Sequence, residues 1–164
     1  MRTLFRFPNP VNEVSARLVA GGVVLLTLVI LVFQQPWLIA VLAYGFVARM
    51  LTGPTLSPLG QFVTRVVTPA LPVAARPVPG PPKRFAQGIG ATLSVSAAIA
   101  HFAFGATTLA FVLVAMITVA ATLESVFAYC LGCKAFAILM KAGVIPESVC
   151  EECNDLSLRR PVHA

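Results

Sequence analysis

The residues able to do chemistry gather near one end of the chain. Cys130, Cys133, Cys150 and Cys153 are its four cysteines, all within the stretch CLGCKAFAILMKAGVIPESVCEEC. They form two C-x-x-C pairs with sixteen residues between them. This is the spacing of a four-thiolate metal site. Cysteines at i and i+3 share one face of a helix, so each pair can present two sulfurs together. Gly143 and Pro146 lie between the pairs and let the chain fold back. Tetrahedral Zn²⁺ takes four thiolates at about 2.3 Å. The first reading is therefore a structural zinc held by Cys130, Cys133, Cys150 and Cys153, in a module that serves as a docking or accessory element. Lys134 and Lys141 would offset part of its negative charge.

The alternative is dithiol chemistry. Tyr129-Cys130-Leu131-Gly132-Cys133-Lys134 has a C-x-x-C-K form. A lysine beside a thiol lowers its pKa and favours the reactive thiolate. In this scheme Cys130 attacks, and the pairs exchange disulfides with each other or with a soluble partner. Glu151 and Glu152, between Cys150 and Cys153, push the other way at the second pair. The βαβ context that usually carries such a motif is absent.

The elements that must position these cysteines are apolar. The chain of 164 residues is 58% hydrophobic and 11% charged, against about 25% charged in soluble domains. Its mean hydropathy is +0.89. Lipid is the natural solvent for such a composition. Four spans are expected, over residues 14–33, 36–51, 85–104 and 106–128, in two tight hairpins. Asn12 caps the first, with Glu13 and Arg17 as an i,i+4 pair. Gln34, Gln35, Pro36 and Trp37 make a polar turn with an interfacial tryptophan. Ala86, Gly90, Ser94 and Ala98 put small residues on one face of the third span, where helix backbones approach closely in lipid. Residues 52–84 read as an interfacial segment and a proline-rich basic linker. The last helix is expected to run on past Glu124 into water and to carry the first cysteine pair, with Gly143 as its C-terminal stop.

The chain thus divides into a membrane domain (1–129), a cysteine module (130–155) and a tail (156–164). With four spans, both ends and the linker share one side. That side holds all twelve Lys and Arg and all six acidic residues. The opposite turns, at Gln34, Gln35 and Gly105, carry no charge. The positive-inside rule places the charged side in the cytoplasm, in a multi-pass plasma-membrane protein with reduced thiols. The net charge of +6 is then a topology signal and not a nucleic-acid footprint.

Other polar residues carry less. His101 sits near the uncharged turn and reads as a packed or interfacial histidine. Glu124 falls near the charged side, within reach of Arg49, Arg84 or Lys134. The spans hold too few polar residues for a transporter or channel. No P-loop, dinucleotide fingerprint or HExxH is present.

Residues 11–18 (VNEVSARL), residues 77–90 (PVPGPPKRFAQGIG) and the run from Cys130 (CLGCKAFAILMKAGVIPESVCEECND) together resemble the small bacterial membrane proteins of domain of unknown function 4395. The resemblance covers most of the chain. It implies an all-α polytopic membrane protein and supplies no activity. It also implies the company of a thioredoxin-like or sulfurtransferase protein, which would make the cysteines thiol-active. Quinone-reducing, disulfide-generating membrane enzymes are a looser analogy, and their working cysteines face the oxidising side.

Overall fold

Asn12 starts the first long helix as its residue type predicts. In the computed structural model, which describes residues 7–150, its Oδ1 accepts a hydrogen bond from the Val14 N–H at 3.1 Å. Helix α1 (Glu13–Phe33) follows. Its 21 residues reach about 32 Å at 1.5 Å per residue, enough for a hydrocarbon core of ~30 Å. Arg17 does not pair with Glu13 as expected. It reaches across the bundle instead, and its guanidinium donates to the Ser125 and Val126 carbonyls at 3.0–3.1 Å. A cation is favoured there, because those carbonyls end a helix.

Gln34 closes α1 in the left-handed conformation. Helix α2 (Leu38–Thr52) then runs back for 15 residues, about 22 Å. It is apolar but short. Among the described residues three helices are long and apolar enough to cross a bilayer: α1, α5 (Gly80–Phe102) and α6 (Thr107–Phe127).

Between α2 and α5 the chain forms α3 (Pro58–Phe62), a π-helical turn (Val63–Val67) and α4 (Thr68–Ala70). Ser57 caps this segment, its Oγ accepting from the Gly60 N–H. The following proline-rich stretch is tied down. Strand β1 (Val11–Asn12) pairs antiparallel with β2 (Pro77–Val78). The Glu13 N–H donates to the Arg76 carbonyl and the Gly80 N–H donates to Asn9 Oδ1, each at 2.8 Å.

The third span starts at Gly80, five residues before the expected boundary. Pro81 and Pro82 look like linker residues, yet they occupy the first helical turn, where a missing N–H costs nothing. Lys83 and Arg84 consequently belong to the helix.

Helix α1 packs on α6, α2 on α5, and α5 on α6. Ile30, Ile39, Leu42, Ala97, Ala110 and Val114 fill the shared core. The small-residue stripe of α5 explains one contact directly. A Cβ on Gly90 would lie 2.2 Å from the Phe46 ring. Ser94, fully buried, satisfies its hydroxyl by donating to the Gly90 carbonyl. The outer faces carry exposed Leu25, Val32, Val112, Met116 and Val119. An apolar surface this continuous belongs against lipid. The protein is an all-α membrane protein.

At the α5–α6 turn Gly105 takes a positive φ, and His101 Nδ1 shares a hydrogen bond with Thr107 Oγ1 at 3.0 Å. This supports the packed-histidine reading. At the other end, α6 does not run on. Ala128 turns left-handed at φ 55°, and the Tyr129 N–H returns to the Leu123 carbonyl. The expected continuous helix is thus broken by an alanine in a conformation that favours glycine. A separate helix α7 (Leu131–Lys141) follows and lies on α5. Gly143, at φ 74°, ends it as expected.

Candidate thiol site

Helix α7 brings the first cysteine pair back onto the bundle. Gly132 makes this possible. A Cβ there would fall 2.5 Å from the Cα of Ala86, so only glycine permits the approach. Phe136, buried, stacks at a tilt on Phe85 with centroids 5.6 Å apart. Replacing Gly132 by alanine must push α7 away from α5 backbone. We expect a loss of about 1–3 kcal/mol, read as a lower unfolding temperature in detergent, together with faster alkylation of Cys133.

Cys130 is the N-cap of α7, and its Sγ accepts from the Cys133 N–H at 3.4 Å. The pair was expected within one helix. It spans a helix start instead, which serves a thiolate better, because unpaired N–H groups converge there. Both thiols are free and partly exposed. The two are unequal. Hydrogen bonding from Cys133 holds the Cys130 thiol below its ordinary range. Burial and the Glu124 carboxylate oppose this, while the Lys83 ammonium assists. Cys133 is pushed up, chiefly because its proton is engaged by Cys130 and secondarily by burial. Of the two thiols, Cys130 is the one whose surroundings favour the charged form, and Cys133 the one held protonated. Alkylation of Cys130 should therefore reach half its maximal rate below about pH 8.5, the midpoint of an ordinary thiol. Cys133→Ala removes the hydrogen bond to the charged form and should move that midpoint upward. Rates of iodoacetamide labelling against pH, resolved by mass spectrometry, test both.

A polar cluster lies beneath the pair. Lys83 Nζ meets Glu124 Oε1 at 2.6 Å, with side-chain exposures of 11% and 17%. Gln87, one turn along α5 from Lys83, accepts at Oε1 from Arg49 Nε at 3.1 Å. Arg49 Nη1 donates to Ser57 Oγ, and its guanidinium lies over the Phe46 ring. Arg49 is 5% exposed. Two buried cations thus face one carboxylate. A thiolate at Cys130 would balance the cluster. Sequence reasoning placed Glu124 near Arg49, Arg84 or Lys134 and missed Lys83, which it assigned to the linker. Lys134 lies over the Tyr129 ring instead.

The second pair is placed differently. Cys150 is buried and disulfide-bonded. Cys153 lies outside the described residues, and with it part of both cysteine readings. A bridged sulfur has no thiolate to offer Zn²⁺. Among the described residues no three His, Cys, Asp or Glu side chains converge. Cys130, Cys133 and Cys150 alone therefore do not assemble a metal site among the described residues.

These features define the class: an all-α membrane protein with a free dithiol seated on a buried ionic cluster at one end of its helices. Residues 11–141 match the model of the family described as domain of unknown function (DUF4395), and the chain belongs to that family. No curated protein and no solved structure matches it.

Proposed function

We propose that the protein is a plasma-membrane thiol–disulfide oxidoreductase or sulfur-relay accessory that works through Cys130 and Cys133. The observation that carries this reading is the free, asymmetric pair at the start of α7. The Cys130 thiolate attacks a partner disulfide. One partner thiolate leaves, and a mixed disulfide forms. Cys133 then gives up its proton and attacks the Cys130 sulfur. The second partner thiolate leaves, and a Cys130–Cys133 disulfide remains. The partner gains two electrons and two protons. A thioredoxin-like or sulfurtransferase protein suits this exchange, since its own reactive sulfur can reach a thiol at a helix start.

In this reading α2 is a fourth, short crossing. It packs along α5, and the Gln34 and Gly105 turns at the far end carry no charge. Both ends of the chain and the dithiol then lie in the cytoplasm. A single-cysteine thioredoxin-like bait tests partner capture: a reducible adduct on Cys130 is expected. Labelling of Cys130 in sealed right-side-out vesicles by an impermeant maleimide would overturn the orientation.

A further inference from the structure

The thiol site opens onto a cavity of about 310 Å³ inside the helical bundle. Its walls are apolar, from Val23, Phe46, Leu93 and Ile117. Arg49, Gln87, Glu124 and Cys130 line it too. All four belong to the same end of the bundle: the last turns of α2 and α6, the start of α5, and the cap of α7. Ile89 and Met116 also line the cavity and are exposed on the lipid-facing surface. Met116 stands two turns of α6 before Glu124, or about 12 Å along the axis. The space therefore connects the bilayer interior with the thiol. Its volume is at the lower end for small-molecule sites.

The chemistry of the lining selects the occupant. The walls want an uncharged, apolar body. The polar end offers donors: Arg49, and the Gln87 amide nitrogen, whose companion oxygen is already taken by Arg49. A carbonyl-bearing head meets them. A dithiol beside such a head has work only if the head accepts electrons. We infer that this cavity is a binding site for a lipid-soluble quinone, which accepts the electrons of the Cys130/Cys133 pair.

This rests on the dithiol reading and runs its exchange in the opposite direction: a partner dithiol reduces the Cys130–Cys133 disulfide and itself becomes a disulfide, and the quinone then reoxidises the pair. Oxidation of the pair breaks the Cys133 S–H bond and forms one S–S bond. The quinone ring takes up two electrons. One of its two protons comes from Cys133 and the other from solvent, replacing the one Cys130 released on ionising. Both carbonyls become hydroxyls, and a quinol leaves toward lipid. Arg49 offsets the negative charge that passes through the ring, while Lys83, paired with Glu124, supports the thiolate before transfer.

The test uses the full chain in detergent micelles, pre-reduced, with decylubiquinone as probe. Quinone bleaching and Cys130/Cys133 alkylation are followed together. One quinol per dithiol lost, at a rate that saturates with quinone, is expected. Filling the cavity by Ala120→Phe on α6, or by Ala16→Leu on α1, should slow quinol formation at least tenfold. Exchange with a small soluble disulfide should continue. With the cavity unaltered, excess quinone should slow alkylation of Cys130 in a Cys133→Ala background, where the pair cannot be oxidised. Exchange with the soluble disulfide but no quinone reduction or protection would overturn the quinone site and leave the dithiol reading standing. Equal quinone reduction in both cavity variants would overturn the location. Failure of every thiol exchange would overturn both readings.

Discussion

Cys130→Ser abolishes disulfide exchange, and Cys133→Ser stops it halfway. The first variant lacks the one thiol, among the described residues, whose surroundings favour the charged form. Exchange should fall by three orders of magnitude or more, as for loss of a nucleophile in a system that works as a unit. The second variant keeps the attacking sulfur but lacks the group that resolves its mixed disulfide. It should accumulate a covalent adduct with a disulfide-bearing partner, visible without reductant and lost with it. The serine at 133 can still donate a hydrogen bond, so Cys130 should stay reactive. Equal loss in both variants, with no adduct, would mean that the cysteines act only as structure.

Breaking the Lys83/Glu124 pair has the second largest effect, and its consequences divide. Glu124→Ala leaves an ammonium in a site 11% exposed without its carboxylate. Removing one partner of a buried pair costs about 3–5 kcal/mol. Lys83→Ala strands the carboxylate at similar cost. The double variant Lys83→Met/Glu124→Leu should recover most of the stability, since an apolar pair of similar volume is often neutral there. Thermal unfolding of these variants beside the unaltered protein tests the order. The thiol readout separates this from mere stability. Glu124→Gln removes an anion beside Cys130 and should lower the pH midpoint of alkylation. Lys83→Met removes a cation and should raise it. If both variants move the midpoint in the same direction, the cluster does not act on Cys130 through charge.

The contrast between sequence and structure follows from the range of the forces involved. Local signals were legible. Asn12 announced a cap, Gly143 a helix stop, and the uncharged runs announced the helices long enough to cross. Residues 11–18, 77–90 and the first part of the cysteine module lie within the family match, which ends at residue 141. Features that depend on partners far along the chain were not legible. The Lys83 carboxylate partner is 41 residues away. Pro81 and Pro82 advertised a linker, although a first helical turn accepts them equally well. Ala128 gave no sign of the left-handed turn that ends α6, a conformation that favours glycine. Arg17 had a plausible local partner in Glu13, yet the open carbonyls of another helix took it. The two cysteine pairs looked equivalent as spacing. Their surroundings make them different, with one pair free at a helix start and Cys150 already bridged.

The central claim is that Cys130 and Cys133 form a working dithiol. Its most direct measurement is a redox titration of the detergent-purified chain in buffers of reduced and oxidised dithiothreitol. Metal content is determined on the same sample, and the pair is counted by alkylation and mass spectrometry. The account predicts that Cys130 and Cys133 interconvert reversibly as a two-electron couple, with no metal bound to them and no effect of chelator. About one zinc per chain, with Cys130 and Cys133 unreactive until a chelator is added, would contradict it.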